Sequence, residues 1–216
     1  SMFGDGGGGH GNIPNYSSTI YHRPTSAINC ITDMSGHLHL KDLAIRGNMD
    51  ADDGTQAGVQ VGRGYWGPDV DPADGVPDNP GGGADALLMN VHVEGCKWGI
   101  RTKGNGSDRG KVISCSITKN ETGIWLDTFT NNWVFLASTI TGEQSSNPAT
   151  CFSKWGVQVG TAGVGDKPTA CSFIGCNILR TPLGQMWVQE AGVLNLIGCY
   201  FEGGRYGIGT AAGGED

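Results

Sequence analysis

One short pattern of apolar and polar residues occurs six times in this chain, and it limits the fold more than any other feature. The pattern reads apolar, any, small or polar, apolar, any, apolar, any, and often Gly. The copies start 48, 24, 23, 38 and 23 residues apart, so a period near 23 residues underlies the sequence. They are LKDLAIRG (40 to 47), LMNVHVEG (88 to 95), VISCSITK (112 to 119), FLASTITG (135 to 142), FIGCNILR (173 to 180) and LIGCYFEG (196 to 203).

A second motif, Gly followed by residues of alternating polarity, trails each copy of the first. Its copies are GVQV (58 to 61), GIRT (99 to 102), GIWL (123 to 126), GVQV (156 to 159), GQMWV (184 to 188) and GIGT (207 to 210). Against the 23-residue baseline, the first repeat carries 7 extra residues between its motifs and the fourth carries 10. The same two repeats carry about 18 and about 5 extra residues after the second motif. Long loops are therefore expected on the first and fourth repeats only.

Short alternating segments at a fixed period, with no helical pattern between them, predict an all-β fold: a single-stranded parallel β-helix of about six coils. A coil of about 23 residues suits three short strands with turns, and successive coils stack at about 4.8 Å. The fourth residue of each first motif then points inward, and this column contains Cys115, Cys176 and Cys199. Buried free thiols therefore explain the seven cysteines better than disulfides do.

The pattern resembles the right-handed parallel β-helix of the pectate-lyase-like superfamily, which includes polygalacturonases and bacteriophage tailspikes. LHLKDLAIRGN (38 to 48) looks like the opening coil of such a domain, and the resemblance extends over about residues 36 to 210. It implies a right-handed helix, action on polysaccharides, a homotrimer, and a location on a virion tail or outside the cell. We expect residues 1 to 35 to be a flexible segment with one strand at 27 to 32. Residues 36 to 216 are expected to form the β-helix domain, as a fragment of a longer chain.

The charge of the chain argues against a nucleic-acid partner. The formal net charge is −7, from 14 basic and 21 acidic side chains, whereas phosphate backbones are bound by clustered Lys and Arg. No run of about 18 apolar residues is present, so no membrane insertion is expected, and no signal peptide is visible.

The insertions predict a trough on the outer surface. Loops of the first and fourth coils would form its walls, and the second and third coils its floor, giving a length of about 10–15 Å. Aromatic rings stack on the apolar faces of sugars, and charged side chains bind their hydroxyl or uronate groups. The outward residues expected on the floor are His92, Glu94, Arg101, Lys103, Trp125 and Asp127.

The trough also suggests catalytic acids. Glycoside hydrolysis needs two carboxyl groups, for which Glu94 and Asp127 are the first candidates, and Asp53 in the loop NMDADDGT adds a third acid. A lyase would instead use Arg101 and Lys103 to offset the charge of a uronate. GIRTKG resembles the RIK element of polygalacturonases. The NTD, paired-Asp and GHG elements that this family has in sequence order are missing from the chain. Solvated ion pairs across adjacent strands, Glu94 with Arg46 and Asp127 with Lys103, are the structural alternative.

The loop at 63 to 85 is a second candidate site. Its acidic residues supply hard oxygen ligands that suit Ca²⁺, and DVDPADGVPDN resembles a thrombospondin type 3 calcium repeat with one residue too many. A solvated acidic loop is the alternative, and no cofactor is otherwise required. Tyr65 and Trp66 in this loop are expected either to clamp a glycan or to anchor the loop. The acidic candidates are Asp69, Asp71, Asp74 and Asp78.

Two functions remain open at the level of sequence. The first is a polysaccharide-binding and polysaccharide-cleaving β-helix: a tailspike-like depolymerase, either glycoside hydrolase or lyase. The second is a non-catalytic β-helix module of a phage tail or adhesin that holds a glycan, a receptor or a neighbouring subunit. Many chemistries share this architecture, so the site residues must decide between them.

Overall fold

The computed structural model describes residues 18–24, 26–33, 37–48, 56–62, 85–103, 108–127, 130–143, 153–163 and 167–210. The candidate residues that lie outside these ranges are Asp53, Tyr65, Trp66, Asp69, Asp71, Asp74 and Asp78.

All regular structure in the described ranges is β-strand, which confirms the all-β expectation. The strands are β1 (Ser18–Tyr21), β2 (Ile31–Asp33), β3 (His39–Arg46), β4 (Ala57–Val61), β5 (Leu87–Glu94), β6 (Trp98–Thr102), β7 (Lys111–Ile113), β8 (Ser116–Thr118), β9 (Thr122–Leu126), β10 (Val134–Leu136), β11 (Thr139–Thr141), β12 (Trp155–Val159), β13 (Cys171–Ile174), β14 (Asn177–Leu179), β15 (Gly184–Val188), β16 (Leu194–Ile197), β17 (Tyr200–Glu202) and β18 (Tyr206–Thr210).

These strands form two long sheets in which every ladder is parallel. The eleven-stranded sheet has the order β16-β13-β10-β7-β5-β8-β11-β14-β17, and β3 joins it between β5 and β1. The seven-stranded sheet has the order β18-β15-β12-β9-β6-β4-β2. Strands adjacent in space thus come from successive repeats, an arrangement compatible with a solenoid.

A corner divides the first motif into two strands in the last four repeats. The first half of β5 pairs with β7 and its second half with β8, so the eleven-stranded sheet has two arms that meet at β5. The corner is the third residue of each motif copy, which has φ between 47° and 60° in all six repeats. This left-handed conformation favours Gly, Asn and Asp because they bear its steric cost most easily. The corner residues are Asp42, Asn90, Ser114, Ala137, Gly175 and Gly198.

The core lies between the sheets and consists of stacked columns of like residues. The residue after the Gly of the second motif, aligned with Met186 in the fifth repeat, supplies one such column, and five of its six members are completely buried: Val59, Ile100, Ile124, Val157 and Met186. Phe135 and Phe173 stack in a neighbouring column with ring centroids 4.5 Å apart. Cys115 and Cys176 are buried and unpaired, as expected, and burial raises the pKa of the Cys115 thiol to about 11.

Both sheets extend upstream of the first repeat. The strand Ser18–Tyr21 pairs with the second half of β3, and Ile31–Asp33 pairs with β4. We expected one strand in this segment, at residues 27 to 32, and the structure has two. In the first of them, Tyr21 pairs in register with Arg46 of β3.

Candidate functional site

The outward column of the seven-stranded sheet runs in the register expected from the repeats. Arg101 of β6 pairs with Trp125 of β9, which pairs with Gln158 of β12. Gln158 in turn pairs with Trp187 of β15 in the fifth repeat, whereas the neighbouring Met186 is buried in the core. The outward residue of the fifth repeat is therefore Trp187.

The guanidinium of Arg101 contacts the rings of two neighbouring tryptophans on this face. The Cζ atom of Arg101 lies 4.3 Å from the ring centroid of Trp98 and 4.0 Å from that of Trp125. The two indole rings themselves are 5.0 Å apart and tilted by 47°. Cation–π contacts of this geometry, partly removed from water, fix both the cation and the rings.

Asp127 binds the same guanidinium. Its Oδ2 accepts a hydrogen bond of 2.9 Å from Arg101 Nη2, and its Oδ1 accepts one of 2.7 Å from Thr161 Oγ1. The Arg101 and Asp127 side chains are only 12% and 8% exposed. Burial lowers the pKa of Arg101, while the bond to Asp127 opposes that shift. The structural alternative paired Asp127 with Lys103, but the hydrogen-bonded partner is Arg101. Lys103 lies beside them with a pKa lowered first by burial and then by the charge of Arg101, while the charge of Asp127 opposes the shift.

A second pair of tryptophans continues the face two strands further along. The rings of Trp155 and Trp187 are 5.0 Å apart, and both side chains are half-buried. Gln158 lies between Trp125 and Trp187 in the ladder, and its Nε2 donates a hydrogen bond of 3.1 Å to Gln189 Oε1. We call this surface the outer tryptophan face, and define it as Trp98, Arg101, Trp125, Trp155, Gln158 and Trp187.

Trp98 and Trp155 are not among the residues predicted from the sequence. Strict alternation from Arg101 would turn Trp98 into the core, yet its ring packs against Trp125 on the outside. Alternation breaks at Gly99, where an added Cβ would point at the buried Ile117. The signal that was present is the tripeptide Lys-Trp-Gly, which occurs at both 97 to 99 and 154 to 156.

The remaining acid, Glu94, lies on the other sheet with His92. Glu94 Oε1 is 2.8 Å from Arg46 Nε, and Oε2 is 3.2 Å from His92 Nε2. The pKa of Glu94 lies below its ordinary value of 4.5, first because of the hydrogen bond with His92, with burial opposing and the charges of His92, Arg46 and Lys119 adding to the decrease. His92, expected to be open to a ligand, is only 4% exposed. The expected Glu94–Arg46 pair is therefore present.

The structure thus divides the six described candidates into two clusters. Arg101, Lys103, Trp125 and Asp127 lie together at the seven-stranded sheet. His92 and Glu94 lie together at the eleven-stranded sheet. The two acids proposed as a catalytic pair, Glu94 and Asp127, belong to different clusters.

The described ranges contain no group of three or more His, Cys, Asp and Glu side chains placed to hold a metal ion. The acidic loop at 69 to 78 lies outside these ranges, so its Ca²⁺ site remains a prediction. Within the same ranges there is also no helix with the length and apolar character needed to cross a membrane.

Comparison with protein-family models, with curated proteins and with solved structures finds no match to this chain.

Proposed function

We propose that this chain is a polysaccharide-binding module with the form of a right-handed, single-stranded parallel β-helix of about six coils. The outer tryptophan face is its glycan-binding surface. The observation that carries the proposal is the cluster of Arg101 with Trp98 and Trp125, because it combines aromatic rings and a cation on one surface. Aromatic faces bind the apolar sides of sugar rings, while Arg101 and the amides of Gln158 and Gln189 bind hydroxyl groups.

The length of the face suits a polymer better than a small molecule. The strands that carry Trp98, Trp125, Trp155 and Trp187 are four consecutive members of the sheet. At about 4.8 Å between neighbouring strands, the tryptophans extend over roughly 15 Å. A polysaccharide chain lying along the stack would contact the two tryptophan pairs with successive sugar units.

Cleavage at Glu94 and Asp127 is the weaker candidate. A hydrolase needs one carboxylic acid that stays protonated until it protonates the leaving group. The pKa of Glu94 is lowered, which favours the ionised form, and both oxygens of Asp127 accept hydrogen bonds from Arg101 and Thr161. These acids are therefore better suited to holding neighbouring side chains in place. The proposal also includes the homotrimer and the virion-tail or extracellular location that the tailspike resemblance implies.

Affinity electrophoresis tests the binding function. The protein is run through native gels that contain one polysaccharide each, chosen to cover neutral and acidic polymers. We expect at least one polymer to retard the protein, and Trp125→Ala and Trp187→Ala each to weaken that affinity about tenfold, because an aromatic contact contributes up to about 1.5 kcal/mol beyond its buried area.

Tyr200→Ala is the matched control, because Tyr200 is an exposed aromatic residue on the other sheet. It should leave retardation unchanged. The proposal fails if no polymer retards the protein, or if both tryptophan variants keep the affinity of the parent chain. Release of reducing ends or of unsaturated products from the retarding polymer would instead support the depolymerase function.

A further inference from the structure

A cavity of about 320 Å³ opens on the eleven-stranded sheet, away from the outer tryptophan face. It lies where β1, β3 and β5 end and where the chain leaves β8. Its volume is at the lower end of the range for small-molecule sites, so it suits a single small ring rather than a polymer. The lining residues are Tyr21, Arg23, Arg46, Gly47, Glu94, Gly95 and Lys119.

The charged lining carries an excess of positive charge. Arg23, Arg46 and Lys119 contribute three cations, and Glu94 is the one carboxylate in the lining. Glu94 faces Arg46 through Nε at 2.8 Å, which leaves the two Nη groups of that guanidinium for another partner. No hydrogen bond joins the side chains of Arg23 or Lys119 to another described residue. Cations grouped in this way around a recess attract an anion and bind it with charge-assisted hydrogen bonds.

The uncharged part of the lining suits a sugar ring. Tyr21 is 50% exposed, and its ring lies 5.8 Å from the Cζ atom of Arg46, so one aromatic face borders the cations. Gly47 and Gly95 line the cavity without side chains, and a Cβ at Gly47 would collide with the carbonyl oxygen of Gly95. The Glu94 carboxylate is an acceptor for sugar hydroxyl groups.

We propose that this cavity binds one hexuronic-acid unit, whose carboxylate contacts Arg46, Arg23 and Lys119 while its ring packs on Tyr21. The site is separate from the outer tryptophan face and adds a preference for acidic sugars that the face alone does not provide. It requires all three features together: the cations, the aromatic ring and a recess the size of one sugar.

The test compares three probes by chemical-shift titration of the ¹⁵N-labelled protein. D-Glucuronate carries the ring and the carboxylate, D-glucose carries the ring alone, and acetate carries the carboxylate alone. We expect saturable shifts at residues of the cavity with glucuronate, and at least tenfold weaker binding of glucose and of acetate. Equal affinity for glucose would overturn the role of the cations, and equal affinity for acetate would reduce the site to a simple anion site.

Charge-removing variants locate the binding. Lys119→Gln and Arg23→Gln change exposed side chains without hydrogen bonds to described residues, so the fold is expected to persist, with circular dichroism as the check. Each should weaken glucuronate binding at least fivefold. Lys41→Gln is the matched control, because Lys41 is an exposed lysine of the same sheet outside the cavity. Unchanged affinity in both cavity variants, or an equal loss in the control, would overturn the proposal.

Trp125→Ala separates this inference from the proposed function. It should abolish or weaken polysaccharide retardation while leaving glucuronate binding intact. If Trp125→Ala removes glucuronate binding as well, the sugar binds at the outer tryptophan face, and the cavity proposal fails while the proposed function stands. If glucuronate binds in the cavity but no polymer is retarded, the proposed function fails and the cavity proposal stands.

Discussion

The Gly that opens the second motif is a steric requirement of the stack at Gly99, Gly123 and Gly156. At Gly99 an added Cβ would lie 2.5 Å from the carbonyl oxygen of Gly123 and 2.6 Å from Ile117 Cγ2. The first contact is with backbone, which cannot rotate away. A Cβ added at Gly123 or Gly156 would likewise be too close to a backbone carbonyl oxygen of the next strand in the sheet. Any larger residue at these positions would push neighbouring strands apart, and this explains why Gly recurs there.

Gly99→Ala should therefore lower the free energy of unfolding by about 1–3 kcal/mol, the usual cost of overpacking. Urea denaturation followed by circular dichroism measures it. Gly207→Ala is the matched control, because Gly207 occupies the same column in the last repeat and an added Cβ there would meet no atom within 4 Å. Gly207→Ala should be neutral or slightly stabilising. Equal losses in the two variants would show that sterics of the stack are not the cause.

At the scale of the strands, two ion-pair clusters connect neighbouring repeats. Arg46 of β3 reaches Glu94 of β5, and Arg101 of β6 reaches Asp127 at the end of β9. Each pair uses outward side chains of strands that are adjacent in a parallel ladder. Removing one member of such a partly buried pair leaves the other charge without its partner. The clusters therefore hold side chains in position as well as joining strands.

The lowered pKa of Glu94 predicts a pH-dependent contribution to stability. Because the folded-state pKa lies below 4.5, the stabilisation is fully present above that value and is lost as the pH falls through the folded-state pKa. Glu94→Gln should thus destabilise the protein at pH 7, and the difference from the parent chain should shrink as the pH drops below about 4.5. Urea midpoints measured from pH 7 to pH 3 give this difference directly.

Glu121→Gln is the control for that series. The Glu121 and Glu94 side chains are both 23% exposed, but the partner of Glu121 is Lys154, which is 53% exposed, whereas Glu94 faces the buried His92. An exposed pair contributes about 0–1 kcal/mol, so Glu121→Gln should have a small effect. A loss for Glu94→Gln that stays constant from pH 7 to pH 3 would contradict the assignment.

Sequence reasoning was most successful where one physical period governs. Alternation of side chains places Arg101, Trp125 and Gln158 in one outward column, and the ladders have this register. Alternation fails at Gly99, and for this reason Trp98 was not predicted to face outward. Alternation also does not predict the corner within the first motif, because residues such as Ala137, with a φ of 47°, are not types that favour a positive φ. The predicted ion-pair partner of Asp127 was also wrong. The long side chain of Arg101 extends across the ladder to Asp127, and the spacing of residues in the sequence does not show how far a side chain extends.

At the scale of the whole molecule, stacking makes stability depend on position. Each repeat buries its core residues against the repeats on either side, as in other repeat proteins. The column through Ile124 shows the consequence. Its members in the first five repeats are fully buried, whereas Ile208 in the last repeat is 51% exposed because no described strand stacks on it. Val193, Ile197 and Tyr206 are exposed in the same repeat.

Hydrogen exchange should therefore be fastest in β16, β17 and β18 and slow toward β6 and β9, because among the described strands the last repeat has one neighbouring repeat and a middle repeat has two. Mass spectrometry of peptic fragments that contain Ile208 or Ile124 measures the gradient. Ile208→Ala should speed exchange in β18 and leave β9 unchanged. Ile124→Ala removes a fully buried side chain, costs about 2–5 kcal/mol, and should speed exchange in the strands on both sides of β9. Uniform protection along the chain, or equal effects of the two variants, would mean that the molecule opens as one cooperative unit.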